Sequence, residues 1–250
     1  MKVYVINFKK VRAVISLALT LIVATALTVG LIFVADAYVF PRSEQTVADA
    51  ETKITTVILD AGHGGEDCGA VGENGVYEKD INLAIATCMK GMLEEKGYTV
   101  IMTRTEDKML YSEAENVKGM RKLSDLKNRC KVAEGHDDAV FISIHVNSFG
   151  APQYSGLQVY YSDGSAESRS LADSIQGHVR NSIQPSNNRA IKNGKDLYVL
   201  DKCPVTSVLV ECGFLTNPEE AAKLSEKEYQ KELSFSVVCG IIEYIEKNNT

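Results

Sequence analysis

Paired metal-binding cysteines, internal repeats and low-complexity tracts are all missing from this chain. Its six cysteines (Cys68, Cys88, Cys130, Cys203, Cys212 and Cys239) form no CxxC pair, and in 250 residues they are too sparse for a disulfide framework. An excess of positive charge is missing as well: 27 Lys and Arg stand against 33 Asp and Glu, a net charge of −6. Beyond residue 50 the balance is 22 to 30, a net of −8. Phosphate binding needs a basic surface, so nucleic acid is excluded as a partner.

What is present is the composition of an ordinary globular protein, 45% hydrophobic and 24% charged, with a distinct amino-terminal segment. Residues 13–35 form a run of 23 without a charge. As a helix such a run would be about 35 Å long, enough to cross a hydrocarbon core of about 30 Å. Lys2, Lys9, Lys10 and Arg12 precede it and no comparable basic cluster follows, so the positive-inside rule leaves the amino terminus in the cytoplasm and exports the remainder. The expected organisation is a basic cytoplasmic segment at 1–12, a transmembrane anchor or signal segment at 13–35, a polar linker at 36–53 and a folded domain at 54–250. The length of the run favours an uncleaved anchor over a signal peptide, whose apolar core is about 7–15 residues. Ala35-Asp36-Ala37 nevertheless resembles a small-x-small cleavage site. Both readings place the domain outside the cytoplasm.

Strand and helix patterns alternate along the folded domain. The predicted strands are 55–60, 99–103, 139–145, 156–161, 197–200 and 207–211; the predicted helices are 78–96, 121–134, 165–183, 217–224 and 226–247. This alternation predicts an α/β fold with a mostly parallel sheet of about six strands and helices on both faces. Asn217-Pro218-Glu219-Glu220 reads as an N-cap, a proline at the first helical position and acids in the first turn. Ser225 with Glu228 reads as a capping box for the last helix. That helix places Tyr229, Leu233, Val237, Ile241, Tyr244 and Ile245 on one core-facing stripe.

Three strand ends carry chemistry. Val57-Ile58-Leu59 runs into Asp60-Ala61-Gly62-His63-Gly64-Gly65, Val140-Phe141-Ile142-Ser143-Ile144 ends in His145, and Val208-Leu209-Val210 ends in Glu211. In an α/β sheet ligands bind at the carboxyl ends of strands, so parallel neighbouring strands would gather these residues into one site. Catalytic zinc takes three protein ligands, and Glu78, linked to His63 by a glycine-rich loop, is a candidate third. In the first turn of a helix Glu78 could equally be a partner of the helix dipole. Glu211, among apolar neighbours, suits a general base with a raised pKa, or a buried salt bridge. Cys68 and Cys212 lie near the site and are weak zinc candidates; Cys88 and Cys239 read as core. His136 and His178 sit among polar neighbours and read as solvated.

Taken in order, Val57–Gly65, Glu78-Lys79-Asp80-Ile81-Asn82-Leu83, Thr103-Arg104, Ser143-Ile144-His145-Val146-Asn147-Ser148 and Val208–Asn217 resemble the zinc-dependent N-acetylmuramoyl-L-alanine amidases known as Amidase_3. The resemblance covers about 54–247, and several motifs in order are far more specific than one. It implies that His63, Glu78 and His145 hold one Zn²⁺ and that Glu211 is the catalytic carboxylate. It places Asn147 and Arg189 in the substrate cleft, and leaves Arg104 as a structural salt bridge. It further implies peptidoglycan as substrate, cleaved between N-acetylmuramic acid and L-alanine. Within the family the short anchored form is similar to the cortex and germination amidases of spore-forming bacteria, whose peptide removal precedes muramic-δ-lactam formation by a muramic acid deacetylase. An accessory activating protein is a further candidate partner. Some relatives cover the site with an inhibitory helix; here the modest candidate is Met109–Lys118. The competing readings are a zinc peptidase or deacylase on another amide, weakened by the lack of an HExxH spacing, and a non-catalytic wall-binding module.

Overall fold

The computed structural model describes Thr25, residues 53–73 and residues 75–250. Apart from Thr25, the expected anchor or signal segment lies outside the described residues, as does nearly all of the linker. No helix among the described residues is long and apolar enough to cross a membrane.

The elements follow the alternation in the sequence. They are β1 (Thr56–Ala61), α1 (Glu78–Glu95), β2 (Thr99–Met102), α2 (Arg121–Lys131), β3 (Ala139–Asn147), β4 (Gln158–Tyr161), α3 (Ala166–Ser182), β5 (Lys192–Asn193), α4 (Tyr198–Lys202), β6 (Thr206–Phe214), α5 (Pro218–Ser225) and α6 (Lys227–Asn248). They form one six-stranded sheet in the order β2-β1-β3-β6-β4-β5. The β2–β1, β1–β3, β3–β6 and β4–β5 pairs are parallel, and β4 runs antiparallel to β6.

Successive residues of a strand face opposite sides of the sheet, and this period assigns the two layers. Val57, Leu59, Val140, Ile142, Ile144, Val208 and Val210 point into the larger core, beneath α1, α3, α5 and α6. Ile58, Phe141 and Leu209 point the other way, into a smaller core closed by Cys130 and Ala133 around the end of α2 and by Val199 and Leu200 of α4. Burying each large apolar side chain of this kind contributes about 1.5–3 kcal/mol. The α6 stripe is in the larger core as expected, with Leu233, Val237, Ile241, Tyr244 and Ile245 buried and Tyr229 packed at its margin.

Two local expectations are corrected. The segment 197–200 is not a strand: Leu197 caps α4, and its carbonyl accepts from Asp201 N at 3.0 Å. A four-residue apolar run fits either period, and the edge of the sheet beyond β4 is filled by Lys192–Asn193. The Ser225–Glu228 capping box does not cap α6 either. Glu226 is the N-cap, without a side-chain cap bond, and the Ser225 hydroxyl donates back to Ala221 O at 2.6 Å. The Asn217 cap holds: its Oδ1 accepts from Glu219 N and Glu220 N at 3.0 and 3.1 Å, with Pro218 in the first turn.

Candidate functional site

The parallel register of β1, β3 and β6 brings the strand ends together. Ala61 pairs with Ile144, and His145 with Glu211 on the next strand. Both side chains face the thinner layer. Cys212, one residue on, points into the larger core, where burial pushes its thiol well up. It is therefore no ligand to anything at this site. Among the described residues, the group that could hold a metal ion is His63, Glu78 and His145; Cys68 is not in it, and its thiol bonds to Gly69 O at 3.3 Å.

Glu78 is the residue local sequence left ambiguous. It does open α1, but its carboxylate is turned under the strand ends. Its Oε1 lies 3.2 Å from His63 Nε2 and 2.8 Å from His145 Nδ1, and it accepts from Val146 N at 3.1 Å; Oε2 accepts from Ala70 N at 2.8 Å. Burial opposes ionisation here, and the two histidines overcome it, holding the carboxyl below its usual range. A small four-coordinate cation with bonds of about 2.0–2.1 Å has its donors roughly 3.3 Å apart. The two separations from Glu78 are close to that, and all three donors lie within 4.8 Å of one another, so the donor set fits such an ion.

The loop after β1 is shaped around these donors. His63 has φ 60, the left-handed region in which a side chain is strained. Gly62 and Gly69 leave room for the donors: a Cβ on Gly62 would lie 2.3 Å from His145 Nε2, and one on Gly69 would lie 2.5 Å from Glu78 Oε2 and 2.7 Å from His63 Cδ2. Asp67 stands 3.0 Å from His63 Nδ1, the outer carboxylate that orients a ligating imidazole. Burial works against a proton on His63, but the neighbouring Asp67 and Glu78 carboxylates, at ion-pair distance, prevail and lift its pKa to about 9. The His63 contact in turn holds Asp67 down at about 2.

Two buried arginines brace this loop from beneath. Arg104 is not the salt bridge that was expected. It donates to the carbonyls of Ala61 (2.8 Å), Gly62 (3.0 Å) and Lys79 (2.7 Å), tying the His63 loop to α1. Arg129 on α2 donates to Ala61 O and His63 O, both at 2.7 Å, and pairs with Asp60 and Asp125 at 2.7 Å each. Asp60 accepts as well from Thr103 and Ser143 at 2.7 Å. Sequence reasoning missed Asp67, Arg129 and Asp125. The i, i+4 spacing from His63 to Asp67 was a usable signal; Arg129 had none beyond its place on the inner face of an otherwise polar helix.

Glu211 faces the donor cluster. Its Oε2 is buried and has no hydrogen-bond partner, so it is not the salt bridge that would be its bland reading. Burial raises its pKa to about 7, against the pull of His145. Gln158, its register partner on β4, accepts from Arg189 Nη2 at 2.5 Å, and the Arg189 guanidinium lies 4.8 Å from the centre of the Phe214 ring. Asn147 ends β3 opposite Phe214. Both of the expected cleft residues thus border the site. His136 sits in a turn and His178 pairs with Glu243 on the surface of α3, apart from the cluster. The Met109–Lys118 segment is tied to α2 and to the loop after β1: Leu110 N donates to Asp125 and Tyr111 Oη to Glu66, both at 2.6 Å.

Comparison with known proteins matches this architecture. The model of the family described as N-acetylmuramoyl-L-alanine amidase, Amidase_3, matches residues 57–243. A Bacillus subtilis (strain 168) protein called YqiI is 40% identical over 194 residues, covering 77% of this chain and 85% of its own length. The germination-specific N-acetylmuramoyl-L-alanine amidase of the same organism is 36% identical over 188 residues, covering 75% and 78%. Among solved structures, the CwlD amidase from Clostridioides difficile in complex with the GerS lipoprotein superimposes with a TM-score of 0.74 at 36% identity, covering 77% of this chain and 99% of that one. The chain belongs to the N-acetylmuramoyl-L-alanine amidase family, Amidase_3.

Proposed function

We propose that this protein hydrolyses the amide between N-acetylmuramic acid and L-alanine in peptidoglycan, with His63, Glu78 and His145 holding one Zn²⁺ and Glu211 as general base and acid. The observation that carries the reading is half-buried Glu211, on the strand next to His145 and beside a three-donor cluster, whose buried Oε2 has no hydrogen-bond partner. A structural ion pair would have satisfied that carboxylate, and a binding module has no use for it. When bound, the zinc ion supplies Lewis acidity to the scissile carbonyl and makes a water molecule easier to deprotonate.

The protein's own groups do the rest. Glu211, with a pKa near neutrality, accepts the proton of the attacking water and returns it to the departing alanine nitrogen. Asp67 keeps His63 oriented through Nδ1, leaving Nε2 toward the cluster. Arg189 and Asn147, at the rim beside Phe214, position the muramoyl group.

Similarity to the germination-specific amidase supports a role in spore cortex, where the product would feed a muramic acid deacetylase on the way to muramic-δ-lactam. The solved relative bound to a lipoprotein supports an accessory protein for this chain too. The uncharged run at 13–35 with its basic flank supports a membrane-anchored or exported, extracytoplasmic location.

Purified protein incubated with peptidoglycan is expected to release muramic-acid-free peptides carrying a new L-alanine amino terminus, and to stop on chelation or with Glu211→Gln. New reducing sugar ends without such peptides would refute the amidase reading. Equal activity of Glu211→Gln would refute the role given to Glu211.

A further inference from the structure

Residues 148–156, Ser-Phe-Gly-Ala-Pro-Gln-Tyr-Ser-Gly, join β3 to β4 without a single charge. Phe149 in this loop is 56% exposed and Tyr154 39%. The two rings are fixed against one another edge to face, their centres 4.9 Å apart, and Tyr154 leans on the buried Phe214 at 6.2 Å. The backbone on either side is pinned to the end of β6: Phe149 N donates to Thr216 Oγ1 at 3.2 Å, and Asn217 Nδ2 to Tyr154 O at 3.3 Å. Phe214 carries Arg189 on its face, Arg189 holds Gln158, and Gln158 is the register partner of Glu211. An ordered aromatic step therefore leads from the catalytic carboxylate out to solvent.

Phe149 and Tyr154 thus present a contiguous pair of packed rings to solvent beside the site, the kind of apolar patch that ligands use. We propose that Phe149 and Tyr154 form a stacking subsite for an N-acetylated hexose of the glycan strand, beside the muramic acid whose amide is cleaved. This rests on the amidase reading above. The chemistry selects the sugar over the stem peptide. A pyranose presents an apolar face of weakly positive C–H groups, which matches the negative face of an aromatic ring. The stem peptide carries carboxylates and amines, which call for charged partners that residues 148–156 do not offer.

The chain has no tryptophan, so Phe149→Trp installs a sole indole that preserves stacking. Its fluorescence is expected to change saturably when a peptide-free N-acetylglucosamine oligomer is added, and a further Tyr154→Ala change is expected to weaken that binding roughly fivefold. In the otherwise native chain, Phe149→Ala with Tyr154→Ala is expected to lower the ratio of kcat/KM on polymeric peptidoglycan to that on a muramoyl peptide without neighbouring sugars by about tenfold. No saturable change up to the solubility of the oligomer, or an unaltered ratio, would overturn the subsite. The fluorescence arm needs no turnover. Oligomer binding by a protein that releases no muramic-acid-free peptides from peptidoglycan would support the subsite while refuting the amidase reading.

Discussion

Gly62→Ala separates the metal site from the fold. A Cβ at this position lies 2.3 Å from His145 Nε2 and 2.4 Å from Cε1. An ordinary contact needs roughly 3.4 Å, so something must retreat by about 1 Å. The backbone is poorly placed to yield, because the Gly62 carbonyl is held by Arg104 Nη2 at 3.0 Å and by Asn82 Nδ2 at 3.1 Å. The imidazole is the freer party, and turning it withdraws Nδ1 from Glu78. Metal–ligand bonds tolerate about 0.2 Å, so a displacement of that size removes one of the three donors. Losing an outer-shell partner alone costs 10–100-fold in affinity, and losing a ligand is expected to cost at least 100-fold. Gly62 does not occupy the left-handed region, so the substitution carries no backbone penalty there; overpacking is expected to cost about 1–3 kcal/mol. The assay is zinc affinity by competition with a chromophoric chelator, with circular dichroism and urea denaturation as the check on folding. Native affinity in a folded Gly62→Ala protein would refute the assignment of His145 to the metal site.

Glu211→Gln is expected to lower kcat by 10²–10⁴-fold while leaving zinc affinity within a few-fold of native, as measured by peptide release and chelator competition. In the metal-free protein the raised pKa of Glu211 costs folding energy once the unfolded carboxyl ionises: the penalty is absent below pH 4.5 and grows to about 3 kcal/mol as pH rises to about 7. The wild type is therefore expected to lose stability relative to Glu211→Gln across that window in urea melts; a difference that does not change with pH would refute the desolvation argument. His63, with its metal-free pKa at about 9, must give up a proton to a metal, so zinc binding at pH 7 is expected to release about one proton from this residue, and affinity should rise about tenfold per pH unit toward pH 9. Calorimetry in buffers of different ionisation enthalpy measures this, and pH-independent affinity between 6 and 8 would count against it. Arg129→Met strips the countercharge from buried Asp60 and Asp125 and is expected to cost about 3–5 kcal/mol in urea unfolding; a loss under 1 kcal/mol would show that the pair is not a brace.

Much of this protein was legible before folding was considered. Short continuous apolar runs located β1, β3 and β6, period 3.6 located α1, α3 and α6, and the polar residue closing each long strand marked His145 and Glu211. These signals are local, since each depends on which face of an element a residue takes. The uncharged run at 13–35 is equally local, and hydropathy and flanking charge are all that speak for it. The register that sets His145 beside Glu211, the antiparallel entry of β4 with Gln158, and the helix at Tyr198–Lys202 are not local. They follow from which strands pair and what space remains, quantities that a linear pattern does not contain. Glu78 shows the difference most sharply. Its own neighbourhood described only the first turn of a helix. The family motifs implied a ligand, and the loop through Ala70, braced by Arg104 and Arg129, turned its carboxylate under two strand ends. Periodicity thus determined which residues line the rim, and only the chain's return on itself decided which of them meet.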